Sequence, residues 1–262
     1  MWSTLRELRI QADWWLKGRL RWSAPARIDP VGDLEAWLAD LPENQRARAE
    51  DLRERYDLAS WSTGCDQDEV ELNLYHLDIL DQHLSDVPAP TRALDVGCRA
   101  WWNLPANHAF RPAPWLGIEL DGHQRYVDGA TRAGLARRRT ELFEDASYRT
   151  GSVTELDGPY DLIIWLLPYI TPGAFGADRL PRRYFSPEAL LDHVLGLLSE
   201  RGTLLIVNQG EDEARVQREL LASRSVEVSE LGRLESLWPA FETERYGFRC
   251  SVNRAAGVEG AG

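Results

Sequence analysis

The chain has 262 residues, 44% of them hydrophobic, enough for one large domain or one domain with a sizeable appendage, and too apolar for wholesale disorder. Its net charge of −12 argues against general nucleic-acid binding, which needs a concentrated cationic surface. Cys65, Cys98 and Cys250 lack CxxC spacing, so neither a disulfide framework nor a zinc site is expected, and a reducing, cytoplasmic setting is the natural one. No apolar run approaches the roughly 20 residues that span a bilayer, and charges interrupt any signal-peptide core at the start.

Residues 2–22 interleave Trp2, Leu5, Leu8, Trp14, Trp15 and Trp22 with Arg6, Arg9, Lys17, Arg19 and Arg21. Two readings stand: a basic amphipathic segment with weak contact to a membrane surface or a protein, or a helix whose tryptophan face packs on the body of the chain. Residues 33–58 are expected to be helical, with Asp33 as cap and Pro42 as break. Residues 66–84 give the clearest helix: Val70, Leu74, Leu77 and Leu84 form a stripe, and Asp66, Asp68 and Glu69 crowd the first turns. His76 and His83 share a face and are expected to be polar surface residues, being too far apart for a metal pair.

Pro88 and Pro90 mark a boundary, which divides the chain into a helical segment (1–87), an α/β domain (88–254) and a small, flexible tail (255–262). Beyond it, short apolar runs at 93–96, 115–120, 161–166 and 203–207 read as strands. Helices are expected between them at 122–137, 187–199 and 211–222, a further strand near 147–150, and a late pair at 226–229 and 247–252. Strands alternating with helices specify βαβ units and a mostly parallel sheet; the unbroken runs Leu162–Leu167 and Leu204–Val207 fit strands covered on both faces.

Four chemical features fall in order. Asp95-Val96-Gly97-Cys98 ends the first strand, with a glycine where backbone must approach a ligand closely. Glu119-Leu120-Asp121 ends the second, and an acid at that tip accepts ribose hydroxyls in dinucleotide sites. Gly151-Ser152-Val153 follows the third strand, and Asp161–Trp165 runs into Leu167-Pro168-Tyr169. This order, with the Ser199–Gly202 turn before the 203–208 strand, resembles class I S-adenosylmethionine-dependent methyltransferases over about residues 89–254.

The resemblance implies a Rossmann-like mostly parallel sheet with helices on both faces, S-adenosylmethionine as cofactor, and methyl transfer to a small or medium substrate. It further implies a cofactor site drawn from Asp95, Gly97, Cys98, Arg99, Glu119, Leu120, Ser152, Val153 and Trp165. The first loop departs from the family's D-x-G-x-G-x-G pattern: Arg99 and Trp101 stand where the second and third glycines fall. Three readings follow. The loop widens and still takes S-adenosylmethionine; it takes another ligand, with Arg99 meeting an anion; or the site is empty, leaving a catalytically inactive binding or interaction module. The Leu166–Tyr169 motif lacks the Asn or Asp of amino-group methyltransferases that act on nucleic acids, which disfavours that subclass. The long connection 170–184 is a candidate lid carrying Arg179, Arg182 and Arg183, and Cys98 reads as a small packing residue.

Overall fold

The strand-like runs pair into a seven-stranded sheet of order β3-β2-β1-β4-β5-β7-β6 in the computed structural model, which describes residues 4–20, 22–238 and 241–252. Trp2, Arg21 and the 255–262 tail lie outside the described residues. The strands are β1 (Ala93–Val96), β2 (Trp115–Glu119), β3 (Ala146–Thr150), β4 (Tyr160–Leu166), β5 (Leu198–Gln209), β6 (Glu227–Arg233) and β7 (Arg245–Ser251). The first five pair in parallel, and β7 runs antiparallel between β5 and β6. Chain order reverses between β1 and β4, and ligands bind beyond the carboxyl ends of strands at such a switch point.

Helices cover the sheet in the order α1 (Thr4–Arg19), α2 (Leu34–Ala39), α3 (Glu43–Arg55), α4 (Trp61–Gly64), α5 (Gln67–Leu84), α6 (Leu104–Phe110), α7 (Arg132–Thr140), α8 (Pro172–Ala177), α9 (Pro187–Gly196) and α10 (Gly210–Ala222). Local chemistry sets their ends. Asp33 caps α2 by accepting from the Ala36 N–H at 2.9 Å. Asp66 and Glu69 close a capping box on α5. The helix expected at 122–137 begins only at Arg132. Gly129, at φ +86°, turns the chain, Arg125 and Thr131 form an isolated bridge, and the Thr131 hydroxyl caps α7 by accepting from the Gly134 N–H. No helix among the described residues is long and apolar enough to cross a membrane.

One apolar core joins the first helices to the sheet. Leu74, Leu77 and Leu84 of α5 pack with Leu104, Phe110, Trp115 and Leu162. On the other face Ile163 and Ile206 meet Leu191 and Val194 of α9. Because α5 is wrapped on nearly all sides, His76 is buried, contrary to the surface position expected for it.

The loop after β1 rests on a fixed floor. Arg99 and Trp101 adopt φ +53° and +57°, the left-handed backbone that glycine takes without strain. The Trp101 indole turns down into the core, 0% exposed, against the face of Gly117 in the neighbouring strand. A Cβ at Gly117 would meet that ring at 2.8 Å. Asp95 lies beneath the loop as well. Its Oδ2 accepts from Trp101 Nε1 (3.0 Å), Asn103 Nδ2 (2.9 Å) and Asn107 Nδ2 (2.8 Å), while Oδ1 is buried without a partner. Asn107 Oδ1 in turn meets His76 Nε2 at 2.8 Å, so the ring carries its proton on Nε2.

Burial pushes the Asp95 carboxyl up to about 7, against the three donors that pull it down, and burial draws His76 down to about 4.

Two outcomes are expected. Gly117→Ala overfills the indole's space and should cost about 1–3 kcal/mol, read as a lower urea midpoint; an unchanged midpoint removes Trp101 as the floor of the loop. Asp95 favours its neutral form in the fold, so its contribution is complete below the ordinary value of 3.8 and is lost as pH rises to about 7. Asp95→Asn cannot ionise. Its melting temperature relative to the parent should therefore climb from about pH 4 to about pH 7 and level off above that, and a flat difference contradicts the buried, strained carboxyl.

Candidate functional site

The carboxyl ends of β1, β2 and β4 open into a cavity of about 570 Å³. Gly97, Cys98, Arg99, Glu119, Leu120, Ser152, Val153 and Trp165 all line it. Asp95 does not: it sits in the layer below, held by the asparagines and Trp101. Trp101 is likewise absent from the wall, whereas Trp102 forms part of it.

Gly97 has φ +71°, and a Cβ there would point into open space, so the missing side chain leaves part of the cradle free. Glu119 is buried at the tip of β2. Its Oε2 accepts from the Arg99 N–H at 2.9 Å, and its Oε1 from the Asp121 N–H at 2.8 Å and Arg132 Nη1 at 3.1 Å. Two carboxylate oxygens offer about four lone-pair sites, so acceptor capacity remains on Oε2. Ser152 Oγ caps the short 3₁₀ turn Val153–Glu155 by accepting from the Thr154 N–H. Burial drives the Cys98 thiol well above its ordinary range, which keeps it a protonated packing group.

The Arg99 side chain leaves the loop for the opposite lip. Its Nη2 pairs with Asp178 Oδ2 at 3.1 Å, and the Tyr169 hydroxyl donates to the same oxygen. That junction ties the loop after β1 to the 170–184 connection, which folds as α8 and a 3₁₀ turn (Arg182–Tyr184) and places Phe175 and Tyr184 on the cavity wall. Burial, then the bond to Asp178, raises the Tyr169 phenol, which stays protonated. α1 crosses the same region: Glu7 Oε1 accepts from the Arg182 N–H at 3.1 Å, the Trp14 and Tyr184 rings lie 5.4 Å apart, and Lys17 pairs with Asp121 at 3.0 Å.

Several wall residues carry no motif in the sequence. Tyr75, His76 and Ile79 come from α5, Leu234, Phe241 and Thr243 from the connection after β6, and Arg245 from the start of β7. Tyr75 meets Phe241 edge to face at 5.4 Å, and Trp102 lies 6.5 Å from the same ring. The helical stripe of α5 was visible in the sequence; that it turns Tyr75 and His76 toward a cavity follows only from how α5 sits on the sheet. His108 and His123, which flank the loops in sequence, are not part of this wall.

No family model matches the chain, and no curated protein matches its sequence. Solved structures do. A SAM-dependent methyltransferase from Aquifex aeolicus superposes with TM-score 0.50 at 12% identity, over 71% of this chain and 94% of that one. The magnesium protoporphyrin IX methyltransferase of Synechocystis gives 0.47 at 16%, over 82% and 99% of the two chains. An N-methyltransferase of Bradyrhizobium japonicum gives 0.46 at 15%, over 70% and 97%. At these identities the likeness concerns the fold, and it rests on the first superposition: the chain has the Rossmann-like fold of class I methyltransferases.

Proposed function

We propose that this chain is an S-adenosylmethionine-dependent methyltransferase acting on a small or medium substrate. The observation that carries the reading is the open cradle at Gly97 beside Glu119, with the Trp101 indole packed beneath the loop instead of inside the cavity. In this reading Gly97, Cys98 and Arg99 pass under the cofactor, the spare acceptor on Glu119 Oε2 takes a ribose hydroxyl, and Leu120, Ser152 and Val153 flank the adenine. Trp165 stands where cofactor and acceptor meet. Asp95, included by sequence among the cofactor residues, acts from behind the wall by holding Trp101 and Asn103.

S-adenosylmethionine, when bound, would supply a methyl group activated by a sulfonium, electrophilic toward an acceptor's lone pair, with the sulfur as leaving group. The chain contributes alignment and exclusion of water, through Trp165, Phe175 and Tyr169. His76, neutral with its proton on Nε2, keeps Nδ1 as an acceptor. The fate of Arg99, paired with Asp178, speaks against its holding an anionic ligand. The buried indole of Trp101 likewise weighs against a catalytically inactive module.

The remaining assignments follow from this one. The first 87 residues are an appendage that walls and roofs the site of an 88–254 catalytic domain. The cytoplasm is the proposed setting, in keeping with three buried, unbridged thiols. α1 keeps Leu5 80% exposed, with Leu8 and Trp15 also exposed, beside Arg19, which lies over the Trp15 ring; this is the face proposed for weak membrane-surface or protein contact.

Calorimetry with S-adenosylmethionine and S-adenosylhomocysteine tests the proposal. Both should bind the folded protein. Glu119→Gln should weaken both at least tenfold, the loss of about one charge-assisted hydrogen bond, with unchanged circular dichroism. Absence of heat with either ligand ends the transferase reading.

A further inference from the structure

The cavity continues past the proposed cofactor half, across β4 and β5 to β7, and its far end is built differently. Its walls there are apolar and aromatic: Tyr75, Ile79, Trp102, Leu234 and Phe241. Into this wall comes one guanidinium. Arg245 is only 8% exposed. Its Nη1 donates to the carbonyls of Thr243 (2.8 Å) and Glu244 (3.5 Å), and its Cζ lies 4.1 Å from the centre of the Phe241 ring.

None of the described carboxylates is within ion-pairing distance of Arg245. The acids nearby are committed elsewhere. Glu244 pairs with Arg233 at 2.7 Å, and Glu213 accepts from the Gln209 N–H at 3.0 Å at the start of α10. A buried cation whose close partners are two carbonyls and a ring face, with Tyr75 and the cavity-lining Glu213 attracting it only from beyond ion-pair distance, is costly to keep desolvated, and burial lowers its proton affinity against that attraction. Surface arginines of this chain find carboxylates readily: Arg249 with Asp86 and Arg218 with Glu230 are examples. A buried arginine lacking one, on the wall of an aromatic cavity, is suited to complete its pairing with something that enters.

We infer that the methyl acceptor is an apolar or aromatic molecule bearing a carboxylate, and that Arg245 binds that carboxylate as an anchor remote from the reacting atom. The inference rests on the transferase reading above for the identity of the opposite end. Arg245 on β7 lies three strands from Gly97 on β1, about 14 Å at the usual spacing of roughly 4.8 Å. A nucleophile placed between β1 and β4 is then about 12 Å from the anchor, by two and a half such spacings. The carboxylate is therefore not the methylated group. The molecule is elongated, with an anion at one end and the acceptor atom at the other. The planar fork of an arginine suits a carboxylate, and the Phe241 ring under it holds the fork in place.

The test is calorimetry on the full-length protein saturated with S-adenosylhomocysteine. The probes are 4′-hydroxybiphenyl-4-carboxylate and 3-(4-hydroxyphenyl)propionate, each beside its neutral carboxamide. At least one acid is expected to bind, at least tenfold more tightly than its amide. Arg245→Met should erase that preference without altering affinity for S-adenosylhomocysteine, and Arg245→Lys should keep part of it. Equal binding of acid and amide to the parent protein overturns the inference, as does failure of both acids, or an acid preference that survives in Arg245→Met. The acid–amide comparison needs no variant, so a misfolded substitution cannot obscure it. The two readings fail separately. Heat with S-adenosylhomocysteine but none with the acids sinks the anchor alone. An acid preference in a protein that ignores S-adenosylhomocysteine leaves the anchor and sinks the transferase.

Discussion

The site depends on one steric exchange: Gly117 gives up a side chain, and the Trp101 indole takes its place. An L residue at position 117 would put its Cβ 2.8 Å from the ring. With glycine there, the Trp101 side chain drops into the core instead of the cavity, while Trp102 stays on the wall. The loop keeps the backbone course of a glycine-rich turn with Gly97 as its one glycine: Arg99 and Trp101 both hold left-handed φ values. Such residues cost on the order of 1–3 kcal/mol each, and they persist where surroundings over-determine them. Trp101 is fixed by its packing and its bond to Asp95, and Arg99 by its N–H on Glu119 and its carbonyl, which accepts from the Tyr148 hydroxyl at 2.9 Å.

From that exchange the polar layer under the site follows. A buried indole N–H needs an acceptor, and Asp95 provides it. A buried carboxylate needs several donors, and Asn103 and Asn107 supply them from the start and middle of α6. Asn107 then engages His76, and Asn73 on the same helix donates to the Trp102 carbonyl at 2.8 Å and accepts from the Ala106 N–H at 2.9 Å. Arg139 of α7 reaches the Ala100 carbonyl at 2.7 Å and pairs with Glu69 of α5. The loop is thus gripped from β2, α5, α6 and α7 together, which is how a turn with left-handed Arg99 and Trp101 holds one geometry.

The strands were legible because a parallel strand covered on both faces must be apolar throughout, and runs such as Leu162–Trp165 admit few other roles. Their order, with a glycine after the first and an acid after the second, was enough to indicate the fold. Four things were hidden. The short helix Leu104–Phe110 has too few turns to show a period. The course of 122–131 is set by a glycine turn and a two-residue bridge, and its composition resembles a helix start. The direction of Trp101 depends on a vacancy at Gly117 in another strand, which no local pattern reports. Arg245 is the sharpest case. In sequence it is one of many arginines, and its burial comes only from the antiparallel return of β7 beside β5.

The sheet's carboxyl edge carries opposite polarity at its two ends. Over β2 the wall presents Glu119, whose spare lone pair suits hydroxyl donors; at β7 it presents Arg245, whose free N–H groups suit an acceptor. The chain as a whole carries a net charge of −12. Its long-range field therefore repels an anion, within the roughly 8 Å that physiological salt allows such a field to act. A cation that served to attract acids from solution would sit on the surface, where this chain already has arginines paired with acids. Buried at the end of an aromatic cavity, Arg245 instead discriminates at contact, after the apolar body of a ligand has displaced water and the local dielectric has fallen. In that setting a missing carboxylate is penalised more than a misfit methylene, because the guanidinium is left dry and unpaired. Selectivity for a charged end and tolerance along the apolar middle are therefore expected together, with the turn after β1 fixing where the far end of the molecule stops.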